Sequence, residues 1–357
     1  MTVQGQKNHY NVKLLKGYGV SINLKDNCLC LKGGRDPFTG EQESEEWFVT
    51  QIPYERIVIS GRGYLSTDAV KLLTDHNVNI ILTDTYGNLI TAMHKVMSSP
   101  TATNYRIAQY DTFRDSKKAA YLQKHFLKAK LESQIQFLQS LHRPEVQEAI
   151  DGLAVYSAKI EGAKDKRDLL TIEARAGYLY FRNFAKLFDK KKYGFISRNG
   201  GGIKTGNRYA SDPINGLLNY GHTVLAGEIA KYVNGLGLDP YYGFFHTTHN
   251  SFQALVYDLI EPFRWLVEYA VYKIGTDSNH QYRISKSDYA WTREGRIVLD
   301  DGLLRRFLEL LERKFQSKRL YKFKHGLKRR DGLSMCQEIT IAKISVQALA
   351  DFCDGRH

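Results

Sequence analysis

The stretch GFFHTTHNSFQALVYDLIEPFR, residues 243 to 264, sets His246 and His249 ahead of Asp258 and Glu261. Residues three apart on a helix share a face, so these two carboxylates would project together. Their neighbours Ala254, Leu255, Val256, Leu259 and Ile260 are all apolar. Charged side chains are rarely buried unless they are paired or hold a metal. Three readings stand: the acids face water, they form a capping box beside Pro262, or they hold a cation. Glu173 raises the same question inside the stripe Leu169, Glu173, Gly177, Tyr180, Phe184, Phe188. It lies at the edge, pairs with a base or binds a cation, and Arg175, two residues on, points elsewhere. One imidazole with two or three carboxylates suits Mn²⁺ or Mg²⁺, while a thiol-free set does not single out zinc. Spacing alone does not choose between His246 and His249.

The elements that must position these residues fall into two kinds, and the pattern predicts an α+β fold. Residues 1–95 read as a small β domain, β-sandwich-like with one short helix. GVSINLKDNCLCLKGG is a hairpin, WFVTQIP and RIVISG are strands, and NIILTDTYGNLITAMH gives two more. STDAVKLLTDHNV is a helix opened by Ser66 or Thr67, and RDPFTGEQESEE is a mobile loop. Residues 96–104 form a linker around Pro100. Residues 105–320 read as a larger all-α catalytic domain, with helices near 104–141, 145–160, 166–188, 212–234, 254–275 and 301–317. A basic segment with five glycines, KKKYGFISRNGGGIKTGNRYASDP, interrupts them as a loop. Residues 321–357 are expected to be a basic C-terminal tail.

Composition bounds the partners. The 357 residues carry 51 Lys and Arg against 38 Asp and Glu, a net charge of +13, which favours a polyanion. From Arg305 to Arg330 eleven bases face only Glu309 and Glu312. Lys314, Lys318, Arg319, Lys322 and Lys324 in this segment, with Lys204 in the glycine-rich loop, are candidate phosphate contacts. Tyr321 and Phe323 interleave with Lys322 and Lys324, as where charge and stacking hold a strand. The four cysteines lack metal or redox spacing. With no apolar run long enough to span a bilayer and no secretory leader pattern, the expectation is a cytoplasmic protein without a membrane.

Four motifs, IEARAGYLYF, NRYASDPINGLLNYGHTVL, GLGLDPYYGFFH and LVYDLIEPFR, follow one another in this order. In order and spacing they resemble the CRISPR-associated adaptation integrase family, the nuclease-integrase subunits that insert spacers into a CRISPR array. ISGRGYLSTDAVKLLTDHNVNIILTDTYGNLI resembles that family's β domain. The resemblance implies a homodimer formed through the β domain and a catalytic helical domain. It implies metal ligands at Glu173, His246 and Glu261, with Asp258 as an auxiliary catalytic acid and Glu161 of AKIEG set aside. It also implies that Tyr178, Arg208, Asp212, Asn215 and Tyr220 line the site or support its DNA. His222 departs from the family, which often has an aromatic residue there.

The activity so implied is endonuclease and integrase chemistry with Mn²⁺ or Mg²⁺ on double-stranded and branched DNA, alongside a small partner subunit of the adaptation complex. A DNA 3′-hydroxyl would attack a phosphodiester in a transesterification, and water would do so in cleavage. The alternative is a structure-selective metal-dependent nuclease without integrase activity.

Overall fold

A computed structural model describes residues 12–35, 41–85, 87–94, 100–198, 209–246, 253–277, 282–322 and 333–356. The chain opens with strands β1 (Val12–Lys25), β2 (Cys28–Arg35), β3 (Gln42–Phe48) and β4 (Arg56–Leu65), helix α1 (Thr67–Asp75), and strands β5 (Asn79–Thr83) and β6 (Leu89–Met93). Asp26 and Asn27 both take positive φ between β1 and β2, the backbone a tight hairpin needs. Ser66 caps α1 by accepting from the Ala69 N–H.

The six strands form one mixed sheet, in the order β3-β2-β1-β4-β5-β6, rather than the two facing layers of a sandwich. Strand alternation explains why one sheet suffices. Leu15, Ile57, Ile59 and Ile80 turn to the face covered by Ala69 and Leu73 of α1. Leu14, Val58 and Ile81 turn to the opposite face and join the helical core. The predicted mobile loop is shorter than expected, since Gln42 to Glu46 belong to β3. Lys13 reaches Glu45 at 2.5 Å and Arg305 reaches Glu43 at 2.7 Å, so cations elsewhere in the chain balance this acidic strand. Val49–Gln51, read as strand, is a 3₁₀ turn.

The helical part comprises α2 (Pro100–Arg114), α3 (Ser116–Ser140), α4 (Gln147–Lys159), α5 (Lys166–Phe184), α6 (Lys190–Tyr193), α7 (Pro213–Leu236), α8 (Ala254–Ile260) and α9 (Arg264–Thr276). A short hairpin of β7 (Tyr289–Trp291) and β8 (Ile297–Leu299) precedes α10 (Asp301–Gln316). A second hairpin, β9 (Lys318–Lys322) and β10 (Leu333–Gln337), leads into α11 (Glu338–Cys353). Residues 100–104, assigned above to a linker, are therefore the first turn and more of α2. The expected helix over 104–141 is two helices, because the Asp115 side chain accepts from the Lys117 and Lys118 N–H groups and starts α3 afresh. Nor is this part wholly helical, given the two hairpins.

Asp212 caps α7, Pro213 sits in its first turn and Gly237, at φ 85°, ends it in a left-handed turn. Most of its residues are buried, so it runs through the middle of the core. A Cβ at Gly227 would lie 2.7 Å from Ile81 Cδ1, so glycine permits the close approach of α7 to the sheet. The expected tail past residue 320 instead supplies α11, which buries Ile339, Ile341, Ala342, Val346, Leu349 and Ala350 against α2 and α7.

Between sheet and helices lies a charged group with almost no solvent exposure. The Arg56 guanidinium on β4 donates to Glu228 on α7 at 2.9 Å and to Glu312 on α10, and lies over the Phe315 ring. Asn79 on β5 donates to Glu228 at 3.0 Å. All four cysteines are free, and no helix among the described residues is long and apolar enough to cross a membrane.

Candidate metal centre

Three segments distant in sequence supply the acidic site. Glu173 projects from the middle of α5, whose buried side chains Leu169, Ala176, Tyr180 and Phe184 anchor the helix. Glu261 follows the last turn of α8. There Pro262 removes a backbone donor, and the chain tightens to a 3₁₀ turn over Glu261–Phe263 before α9 begins. The predicted helix over 254–275 is therefore interrupted beside the acid. His246 ends the aromatic run that precedes α8.

Asp258 determines where that histidine stands. Its fully buried carboxylate accepts from the backbone N–H of Phe244 at 2.6 Å, Phe245 at 2.9 Å and His246 at 2.8 Å. His246 Nδ1 donates to the same carboxylate at 2.7 Å. Four donors fill the carboxylate's acceptor positions. This excludes the capping box and commits the Asp258 carboxylate to the backbone of residues 244–246 and the His246 ring. With Nδ1 as donor, the lone pair sits on Nε2, which lies 3.8 Å from Glu261 Oε1. A Cβ at Gly243 would fall 2.6 Å from the Ala254 carbonyl carbon, so glycine lets this run lie against the start of α8.

One ligand atom each from Glu173, His246 and Glu261 lies within 4.8 Å of the others. Two oxygens and one imidazole nitrogen suit a divalent cation of the Mn²⁺ or Mg²⁺ kind. The site already attracts positive charge. Lys130 on α3 reaches Glu173 Oε1 at 2.6 Å and Glu261 Oε2 at 2.8 Å, while Arg264 reaches Glu261 Oε1 at 2.9 Å. Burial by itself would raise the Glu261 pKa, but Arg264, Lys130 and His246 outweigh it and bring it to about 2. Burial likewise opposes the charge on Lys130, and Glu261 and Glu173 more than restore it. Neither Lys130 nor Arg264 was singled out from the sequence, although Lys130 falls four residues after the buried Phe126, within the apolar stripe of α3.

A second polar group lies behind this one. Arg198 donates to Asn215 at 3.0 Å and Asn219 at 2.7 Å, and Tyr180 donates to Glu268. Burial raises the Glu268 pKa to about 7 and lowers that of Arg198 to about 10. His222 is held well below its ordinary value, first by burial and then by Arg264, Arg198 and Lys130.

Several expected DNA contacts are differently employed. Asn215 is buried, donating to Asp212 at 2.7 Å and to the Ser197 carbonyl at 2.9 Å. Tyr220 is also buried, packed against Gly87 in the β5–β6 turn, at the join between sheet and helices. Asp212 is committed to capping α7. Tyr178 stands exposed on α5. In the basic segment, Arg305 pairs with Glu43, Arg306 with Asp288, Arg313 with Glu309 and Arg319 with Glu338. The Lys314 ammonium lies 4.7 Å from the Trp265 ring centre and 4.6 Å from that of Tyr269. Lys318 is exposed. Lys204, Arg208, Lys324 and His249, with the Lys322 side chain, lie outside the described residues.

A sheet followed by a helical core, with a carboxylate–imidazole cluster drawn from α5, the turn after α8 and the run that precedes α8, defines a candidate metal-dependent enzyme. The model of the family described as CRISPR associated protein Cas1 matches residues 14–313. The CRISPR-associated endonuclease Cas1 1 of Archaeoglobus fulgidus is 30% identical over 290 residues, covering 75% of this chain and 80% of the relative. Its namesake from Methanospirillum hungatei is 29% identical over 265 residues, covering 71% and 73%. Among solved structures, a casposase bound to integration product superposes with TM-score 0.83 at 26% identity, over 97% of this chain and 91% of that one. A Cas1 protein from Thermotoga maritima shares the fold, with TM-score 0.73 at 17% identity over 97% and 98%. The chain belongs to the Cas1 family.

Proposed function

We propose that this chain is a metal-dependent DNA integrase and endonuclease of CRISPR spacer acquisition. The observation that carries the reading is the convergence of Glu173, His246 and Glu261. Relatives named endonucleases, and the likeness to a casposase bound to integration product, support it. The proposed substrates are double-stranded and branched DNA. A solved Cas6-RT-Cas1–Cas2 complex contains the same fold, with TM-score 0.72 at 19% identity. A small partner subunit is proposed here too, as is a homodimer formed through the sheet.

Glu173, His246 and Glu261 would hold Mn²⁺ or Mg²⁺, which supplies Lewis-acid stabilisation of phosphodiester charge and lowers the pKa of a bound hydroxyl or water. In strand transfer the 3′-hydroxyl oxygen forms a new P–O bond, its proton passes to solvent, and the displaced DNA oxygen leaves and is protonated. Asp258 fixes the backbone of residues 244–246 and the imidazole tautomer, so that Nε2 would be the atom available to a metal. Arg264 keeps Glu261 ionised despite burial.

The test incubates purified protein with Mn²⁺ and a branched DNA bearing a free 3′-hydroxyl, beside an E261A control. Joined products from the unaltered chain alone are expected. Cleavage without joining would favour the structure-selective nuclease, a reading that the relatives' names also fit. No metal-dependent chemistry on any DNA would remove both.

A further inference from the structure

Lys130 stands four residues after Phe126 and four before Gln134, both buried, on the inward face of α3. An apolar side chain would fill that position. Instead a lysine with 13% of its side chain exposed carries its ammonium between two acids from other elements, 2.6 Å from Glu173 and 2.8 Å from Glu261. Arg264 cannot take this part, because it reaches Glu261 alone, at 2.9 Å.

Resting on the reading of Glu173, His246 and Glu261 as a metal centre, we propose that Lys130 is a built-in surrogate for the divalent cation. It draws the two carboxylates together when metal is absent and is displaced when metal loads. Without Lys130 the Glu173–Glu261 pair would repel across the cluster, and the buried Glu261 would be left with Arg264 as its nearest compensating base. A divalent cation shared by these two carboxylates would stand close to the ammonium, and two positive groups so placed repel strongly in a space of low polarisability. The lysine therefore preserves the geometry of the site and weakens its affinity for metal. Its four-carbon stem gives the ammonium room to withdraw while α3 stays in place.

The test is Mn²⁺ titration, followed by electron paramagnetic resonance, on the unaltered chain, K130M and E261Q, each checked for fold by circular dichroism. Methionine keeps most of the stem's volume and drops the charge, so K130M should bind Mn²⁺ about tenfold or more tightly than the unaltered chain. E261Q should lose tight binding. A second reading uses the unaltered chain, so it decides the matter even where K130M does not fold. Amine acylation read by peptide mass spectrometry should label Lys130 several times faster with Mn²⁺ than without, with Lys318 as an unchanged reference. Loss of binding in E261Q, with no gain in K130M and unchanged Lys130 labelling, would overturn the surrogate role and leave the metal centre standing. Undiminished binding in E261Q would overturn both.

Discussion

The Asp258 carboxylate lies 2.7 Å from His246 Nδ1 while also accepting the backbone N–H groups of Phe244, Phe245 and His246. One buried acid thus sets the histidine's position, ring orientation and tautomer. D258N keeps the size but replaces an acceptor oxygen with a donor, leaving at least one backbone N–H without a partner. Mn²⁺ affinity should fall about 10–100-fold, as for lost partners of a ligating histidine. Thermal unfolding should show a loss of about 1–3 kcal/mol for each unsatisfied group. Unchanged Mn²⁺ affinity would show that the histidine needs no such support.

For the proposed ligands the expectation is sharper. E173A, H246A and E261A should each abolish joining and cleavage of branched DNA while leaving DNA retention in a mobility-shift assay largely intact. A variant with ordinary turnover would drop out of the ligand set.

Glu268 provides a pH test unconnected with turnover. Its folded pKa is raised to about 7 by burial, above the ordinary value of 4.5. Between those values the folded state holds a proton that the unfolded state has released, so this group makes stability fall as pH rises through that window. The loss is on the order of 3 kcal/mol, and E268Q should remove it. His222, depressed by burial, acts in the opposite sense below its ordinary value of 6.5. The informative quantity is therefore the difference between E268Q and the unaltered chain in denaturant midpoint from pH 4.5 to 7. A constant difference would mean that Glu268 does not titrate there.

On the basic surface, Lys318 and Arg319 should behave differently. K318A should weaken binding to all DNA sequences and lower the salt slope by about one phosphate contact. R319A frees the buried Glu338 of its partner at 2.9 Å, so its main effect should be on unfolding. Equal salt slopes for K318A and the unaltered chain would place Lys318 off the DNA path.

Periodicity made much of the fold legible. The hairpin of β1 and β2, the Ser66 cap and the helix boundaries near 166 and 301 follow from local patterns that the structure repeats. The anomalous acids were legible for the same reason, because Glu173 and Glu261 sit where an apolar stripe should continue. What stayed hidden depends on contacts between distant residues. Counting charges from 305 to 330 could not reveal that Glu43, Asp288 and Glu338 lie opposite those arginines. The NYG run at residues 219–221 could not show that Tyr220 packs against Gly87. Lys130 carried a signal, a base within the α3 stripe, but its partners lie 43 residues away at Glu173 and farther still at Glu261.

Arg56 sits on the sheet, and both of its acids sit on helices. Cutting the chain before α2 would strand a guanidinium on one fragment and leave two carboxylates uncompensated in the other. Losing one partner of such a buried pair costs about 3–5 kcal/mol, and the bared Val58 and Ile81 face would add to that. Separating the two parts at the expected linker around Pro100 should therefore destabilise both. Sheet and helices should lose stability together when either is removed.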